Sequence, residues 1–228
     1  MTKFRLFVSR SALVLLTAAS LTALAGDLSK YRDFQLGTDL QTVTSRIGEN
    51  PSQPKLIQGR PALIQELAWR PRSLGPSPKA ESAEEVIFSF YNGTLFRIAV
   101  KYDRYATEGL TTEDFVEAIS AVYGEPARIL PAVKPAKESY GDQEEAVARW
   151  EDPQYRFDLL RGSYGPTYTL VGSLKSLEIP VQAANVEAKR LDDLEAPQRE
   201  AERTAKEQDA KAATLEKART VNKAKFRP

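Results

Sequence analysis

The residues of this sequence that could do chemistry are carboxylates, and they occur in two clusters. Asp142, Glu144 and Glu145 form one cluster, and Glu113 and Asp114 form the other. A pair of acids can hydrolyse a glycosidic bond, one acting as general acid and the other as base or nucleophile. In a chain with 31 acidic residues, such clusters usually lie on solvated faces. A small carboxylate-dependent hydrolase acting on envelope glycans is therefore kept as the alternative function, and no catalytic residue is assigned.

Other nucleophiles and metal ligands are scarce. The sequence contains no histidine and no cysteine, and its single methionine is Met1. This inventory excludes the common zinc sites, Ser-His and Cys-His nucleophile pairs, and haem ligation by these side chains. It also excludes disulfides. We predict no cofactor, no metal site and no enzymatic activity.

The two tryptophans are candidates for contact with a partner. Trp69 and Trp150 each lie in a segment typical of a β-strand. An indole can stack on a sugar ring or on a partner's side chain. Each tryptophan is nevertheless on the apolar side of its strand, which favours a place in the core. They are kept as weak partner-contact candidates.

The element around which the chain is expected to pack is a hairpin over residues 84–103, EEVIFSFYNGTLFRIAVKYD. Asn92 and Gly93 accept the positive φ of a tight turn. A three-residue loop with a bulge at Gly93 collects the larger side chains on one face: Val86, Phe88, Phe90, Phe96, Ile98, Val100 and Tyr102. The other face, which water can tolerate, carries Ile87, Ser89, Leu95, Arg97, Ala99 and Lys101.

The middle of the chain shows two related halves, about 31–103 and 111–178. Thr38 is the predicted N-cap of a helix over 39–47, and Thr111 with Asp114 forms a capping-box pattern at the start of the second helix. Each helix ends in a similar motif, Gly48-Glu49-Asn50-Pro51 and Gly124-Glu125-Pro126. A strand with a tryptophan and two more strands follow in each half. The order predicts a tandem repeat, with a chance match of short glycine-terminated helices as the alternative.

These elements predict an α+β fold. Tandem α-β-β(-β) repeats would form an antiparallel sheet, with both helices on one face and the other face partly open. The last three strands are expected over 145–150, 155–160 and 167–177. The globular domain would span 26–179, followed by a charged tail over 180–228.

The N-terminus has the layout of a secretory signal peptide. Lys3, Arg5 and Arg10 precede an apolar run over 11–25 that ends in Ala23-Leu24-Ala25. The run is shorter than the roughly 20 residues of a membrane-spanning helix, so we expect cleavage between Ala25 and Gly26 and no stable membrane insertion afterwards. An uncleaved anchor is the alternative. Losing three positive charges changes the net charge from +1 to −2, which gives no basic field for nucleic acid.

The C-terminal segment 181–225 is rich in Ala, Glu, Lys and Arg and favours helix. Pro197 is expected to start a second helix. A coiled-coil-like seam carries Ala184, Leu191, Leu194, Ala201, Ala205, Ala212 and Leu215. The three leucines of this seam are weak partner-contact candidates. Because the other seam positions are alanines, which bury little surface, self-association through the seam should be weak. Either the segment is a solvated, partly frayed helix or it is a coiled-coil arm that binds a partner.

Three stretches carry a resemblance to a known group of proteins. The stretches FQLGTDLQTVTSRIG, VYGEP and ARWEDPQYRFDLL resemble exported bacterial proteins built on tandem α-β-β modules. The modules are similar to those of the SmpA/OmlA outer-membrane assembly lipoproteins and of the β-lactamase inhibitor proteins. The resemblance covers about 31–177 and implies a protein-binding role outside the cytoplasm. This chain lacks the lipid-bearing cysteine of the first family and the disulfides of the second, and no binding residue is carried over.

The sequence therefore predicts an exported, non-catalytic protein-binding or envelope-assembly module. Its location would be periplasmic or secreted. Its partner would be another envelope or secreted protein, and nucleic acid is not expected to bind.

Overall fold

The structure is a computed structural model that describes residues 26–48, 53–71, 82–129, 144–162 and 167–227. Over these residues the chain has the predicted α+β fold, with an eight-stranded antiparallel sheet, a two-stranded sheet and three helices. The signal segment with Ala25 lies outside the described residues, as does Asp142.

The first half begins with a small hairpin, β1 (Lys30–Tyr31) and β2 (Phe34–Gln35), and with helix α1 (Leu40–Ile47). Four strands follow: β3 (Lys55–Gln58), β4 (Ile64–Trp69), β5 (Ala83–Tyr91) and β6 (Thr94–Tyr102). The second half consists of α2 (Thr112–Tyr123), β7 (Arg128–Ile129), β8 (Glu144–Glu151), β9 (Tyr155–Gly162) and β10 (Tyr168–Leu174). The chain then continues as α3 (Lys175–Lys225).

The eight-stranded sheet has the order β3-β4-β5-β6-β10-β9-β8-β7. Each half contributes a meander of four strands, and the two halves meet where their last strands, β6 and β10, pair antiparallel. Both repeat helices end in a glycine at similar backbone angles, with φ 88° at Gly48 and 85° at Gly124. The tandem repeat is therefore present, with four strands in each half because β3 and β7 precede the tryptophan strands.

The N-caps of the two repeat helices were predicted with unequal success. Thr111 accepts from the Asp114 backbone N–H, and the Asp114 carboxylate accepts from the Thr111 N–H, which confirms the capping box. In α1 the N-cap is Asp39, whose carboxylate accepts from Thr42 N at 2.8 Å. The prediction of Thr38 is wrong, because its hydroxyl donates backwards to the Gln35 carbonyl.

The central hairpin differs from its predicted register because the bulge lies at Phe96 and not at Gly93. Tyr91 pairs directly with Thr94, so Asn92 and Gly93 form a two-residue turn with φ 48° and 84°. The bulge falls later, between the pairs Ser89↔Arg97 and Phe90↔Leu95. Phe96 is therefore half-buried on the opposite face, and Leu95 takes its place in the core. Leu95 is held in this position by backbone hydrogen bonds to the segment before α1. Its N–H donates to the Thr38 carbonyl, and its carbonyl accepts from the Gly37 N–H.

The core lies between the sheet and helices α1 and α2. One row of directly paired residues crosses six strands on this face: Leu67, Phe88, Ile98, Gly172, Phe157 and Trp150. The side chains of this row that are not glycine are at most 1% exposed. Tyr123 of α2 stacks on Phe157 with ring centroids 4.6 Å apart. Phe115 and Ile119 of α2 also face the core and are buried, whereas Val122 is 64% exposed and Ala118 is exposed.

Helix α3 differs from the predicted arm at its start and in its middle. Strand β10 ends at Leu174, so Ser176 and Leu177, predicted as strand, lie in the first turn of the helix. Pro197 lies inside the helix, and the predicted break there is wrong. An interior proline costs about 3 kcal/mol, but the alanine, glutamate and arginine residues on both sides are strong helix formers.

Candidate binding surfaces on the sheet and the helical arm

The predicted acid clusters lie at separate places in the fold. Glu144 accepts from the Thr169 hydroxyl at 3.1 Å, and one oxygen of Glu145 is buried without a hydrogen-bond partner. Asp114 caps α2, and Glu113 lines a groove of about 580 Å³ beside that helix. The described residues contain no group of three acids that could hold a metal ion.

The two tryptophans are packed into the body. Trp150 is 1% exposed, and its indole N–H donates to the Gly124 carbonyl at 2.9 Å. It therefore joins the second repeat helix to the sheet and is not a partner contact, which corrects that candidate. Trp69 is half-buried, and its ring centroid lies 5.3 Å from that of Phe34. Both tryptophans thus pack towards the core, as the pattern of their strands predicts.

The sheet face opposite the core carries a row of polar residues, here called the polar row. Direct pairing across seven strands places these residues on one face: Lys55, Glu66, Ser89, Arg97, Ser173, Arg156 and Glu151. Ser89 is 3% exposed and Ser173 is 8% exposed, so the middle of the row is covered. Because burying polar groups is costly unless they find partners, the element that covers this row has to offer polar contacts.

The first turns of α3 cover part of the polar row through ion pairs. Lys175 Nζ lies 2.7 Å from Glu151 Oε2, and this hydrogen bond lowers the pKa of the Glu151 carboxyl below its usual value. Arg156 Nη2 lies 2.7 Å from Glu178 Oε1. The second sheet face, which was predicted to be partly open, is thus covered where α3 crosses it.

Two more contacts attach α3 to the first half of the sheet. Gln58 Nε2 donates to the Ala184 carbonyl at 3.3 Å, and Ala184 is the buried residue of the helix, at 6% exposure. Arg60 forms a two-pronged pair with Glu195, with Nη1 at 2.6 Å from Oε1. This hydrogen bond lowers the pKa of Glu195. The polar contacts thus anchor α3 as far as residue 195.

Asp158 is the most buried acid on this face and is neutralised by two arginines. Arg149 Nε lies 2.6 Å from Asp158 Oδ1, and Arg156 Nε lies 3.0 Å from Oδ2. The hydrogen bond to Asp158 raises the pKa of Arg149. Since Arg156 also reaches Glu178, these four residues form one continuous charged network from β8 and β9 to α3.

A groove of about 490 Å³ lies between the sheet and α3, and we call it the α3 groove. Arg97 and Ser173 of the polar row line it, together with Arg156, Asp158 and Glu178. Its apolar walls come from both elements: Phe96, Leu160 and Val171 of the sheet, and Val181 and Val186 of the helix. Gln182 and Asn185 of α3 complete the lining.

Beyond Glu195, helix α3 leaves the body, and residues 196–227 are here called the free arm. Each of its residues is exposed. Its helical part, to Lys225, is about 45 Å long at 1.5 Å per residue. Pairs within the helix support it, for example Arg203 with Glu200 at 2.6 Å, each contributing a few tenths of a kcal/mol. After Glu216 the free arm carries only positive charges: Lys217, Arg219, Lys223, Lys225 and Arg227.

The three candidate leucines of the predicted seam are not equally accessible. Leu215 lies on the free arm and is 61% exposed, and Leu194 just before it is 63% exposed. Leu191 is half-buried, in the part of α3 that the contacts to the body anchor. Of these three leucines, Leu194 and Leu215 are therefore the exposed ones.

Comparisons with known protein families, curated proteins and solved structures found no match to this chain. Among the described residues, no helix has the length and apolar character needed to cross a membrane. The features that bear on function are therefore the polar row, the α3 groove and the free arm.

The polar row was missed by sequence reasoning, although part of its signal is in the sequence. Ser89 and Arg97 were placed together on the second face of the hairpin, but that face was interpreted as solvated. Pairing of Arg97 with Ser173 depends on β6 and β10 meeting at the centre of the sheet. The residues are 76 positions apart, and no local pattern predicts such a pair.

Proposed function

We infer that this protein is an exported, non-catalytic binding module that contacts another envelope or secreted protein through its free arm. The observation that carries this proposal is that α3 continues for about 45 Å beyond Glu195, its last contact with the described part of the body, with each residue from 196 to 227 exposed. A helix that is polar on all sides either spans a distance or presents its surface to something else. The free arm extends from a fixed base, because contacts with the body anchor residues 175–195.

The β3 edge of the sheet is less suited to a partner than the arm is. Strand β3 has four residues, a register shift after Leu56 and a lysine, Lys55. Short strands, bulges and lysines are the features by which proteins prevent pairing with a further strand. Contact with a partner is therefore assigned to the arm.

Export is supported by the signal-like N-terminus, and the residue that follows it is where the folded body begins. Gly26, the first residue of the expected mature chain, packs so closely on α2 that a β-carbon there would lie 2.3 Å from the Tyr123 Cα. Residue 26 therefore belongs to the folded body. N-terminal sequencing of the protein from the extracytoplasmic fraction should begin at Gly26, whereas a cytoplasmic protein that retains Met1 would contradict export.

The binding role is tested by copurification under crosslinking from the cells that make the protein. The full chain should retain a stoichiometric partner, and a variant that ends at Glu195 should lose it, because the deletion removes the free arm and leaves the anchored part of α3. A variant with Glu144→Gln and Glu145→Gln serves as control and should keep the partner. Retention of the partner by the truncated chain would contradict the proposed site.

A further inference from the structure

The central residue of the polar row, Arg97, is a half-buried cation without a carboxylate partner among the described residues. Its neighbours on both sides are serines, Ser89 on β5 and Ser173 on β10. The two nearby arginines of the same face are paired, because Arg149 and Arg156 both bind Asp158. A partly desolvated guanidinium is stabilised by an anion that accepts its hydrogen bonds.

The charges that line the α3 groove leave this positive charge uncompensated. The charged residues that line the groove are Arg97, Arg156, Asp158 and Glu178. Both acids are already paired, Asp158 with Arg156 and with Arg149 outside the groove, and Glu178 with Arg156. Arg97 is therefore the charge of this lining that has no ion-pair partner among the described residues.

The remaining lining of the groove is suited to an apolar group. Phe96 and Val171 lie on the sheet side, and Val181 and Val186 lie on the helix side. Phe96 reaches this face only because the bulge of β6 turns it away from the core. A volume of about 490 Å³ is within the range of small-molecule sites, which combine apolar walls with a few polar groups that orient the ligand.

We propose that the α3 groove binds a small anionic amphiphile, a carboxylate or phosphate carried on an apolar chain, with Arg97 as the partner of the anionic group. The guanidinium supplies two parallel N–H donors to either headgroup. The chain lies between Phe96 and Val171 on one side and Val181 on the other. This inference does not depend on the protein partner of the free arm, and the variant that ends at Glu195 keeps the groove.

Isothermal titration calorimetry with octanoate, octyl phosphate and octanol tests the proposal on the purified chain from Gly26. The two anions should bind and octanol should bind at least tenfold more weakly, since a hydrogen bond to a charged group supplies most of the difference. Arg97→Gln should weaken the anions about ten- to hundredfold. Arg104→Gln, at an exposed arginine in the turn after β6, should bind as the parent does.

The anion that binds more tightly identifies the headgroup as carboxylate or phosphate. Tighter binding of either anion supports the site, provided that Arg97→Gln weakens that binding. Equal binding of octanol, equal binding by Arg97→Gln, or no binding of either anion would overturn the proposal. If Arg97→Gln fails to fold by circular dichroism, amide chemical shifts of the unaltered protein decide. Addition of octanoate should then shift Phe96, Ser173 and Gln182, and shifts confined to other parts of the chain would contradict the site.

Discussion

The ring of Phe157 on β9 occupies the space in which Gly172 on β10 would carry a β-carbon. The two residues are directly paired, and an ideal β-carbon at Gly172 would lie 2.5 Å from Phe157 Cε1. Phe157 is fully buried and stacks on Tyr123 of α2. The glycine therefore lets an aromatic ring sit at the centre of the sheet, directly beneath the second repeat helix.

Gly172→Ala should destabilise the protein by about 1–3 kcal/mol, because the added methyl group forces the fully buried Phe157 ring, which is stacked on Tyr123, to shift. The free energy of unfolding in urea measures the effect. Gly59→Ala is the matched control, since its nearest contact is a flexible Leu56 side-chain atom at 4.0 Å, and it should change stability by less than about 0.5 kcal/mol. Equal stability of the two variants would show that the ring does not lie over Gly172.

Asp158→Ala should cost about 3 kcal/mol or more, because it leaves Arg149 and Arg156 without their shared carboxylate at a largely buried position. The Asp158 side chain is 13% exposed. Asp209→Ala removes an acid from the exposed free arm and should be nearly neutral. Chemical denaturation of both variants measures the difference, and a neutral Asp158→Ala would mean that the charged network does not form.

The ion pair between Lys175 and Glu151 should make part of the stability depend on pH. The bond to Lys175 lowers the pKa of Glu151 in the folded state below its ordinary value of 4.5. The contribution is therefore fully present above about pH 4.5 and is lost as the pH falls through the lower folded-state pKa. Because both side chains are partly exposed, it should be no more than about 1 kcal/mol.

Urea denaturation of the unaltered chain, Glu151→Gln and Lys175→Met across pH 3–7 measures this term. Glu151→Gln should lose this part, and Lys175→Met should lose most of it, because Lys175 is the largest cause of the lowered pKa and the charges of Arg149 and Arg128 add to it. If Lys175→Met retained the full dependence, the pKa of Glu151 would have to be set by another group.

Removal of residues 196–228 should leave the body folded. Each residue of the free arm is exposed, so the melting midpoint should change by less than about 2 °C, whereas far-UV circular dichroism should lose a large share of its helical signal. Deletion from Ser176 onwards instead removes Glu178 and Val181, which line the α3 groove, uncovers part of the polar row and should lower the midpoint clearly. A large loss of stability in the shorter deletion would mean that the arm folds back on the body.

Several elements were predictable because their signals are local. The capping box of Thr111 and Asp114, the two-arm hairpin and the helical composition of the C-terminal segment each depend on residues a few positions apart. The place of the hairpin bulge was not predictable in this way. It depends on bonds from Leu95 to Gly37 and Thr38, more than fifty positions earlier in the chain, which exchange Leu95 for Phe96 in the core.

The candidate surfaces were predicted less well than the fold for a similar reason. The free arm follows from composition, although Pro197 does not divide it. The polar row becomes visible only once seven strands are aligned, and α3 covers it through pairs such as Arg156 with Glu178. Trp150 was correctly weighed as a core residue, because its strand places it on the apolar side.

The central claim is that the free arm is the surface that contacts a partner, and site-specific photocrosslinking in intact cells tests it most directly. A photoreactive residue at Leu215, which is 61% exposed on the arm, is compared with one at Tyr105, which is 82% exposed on the body. The account predicts one discrete adduct with an extracytoplasmic protein from position 215 and none from position 105. Absence of any adduct from position 215, or the same adduct from both positions, would contradict it.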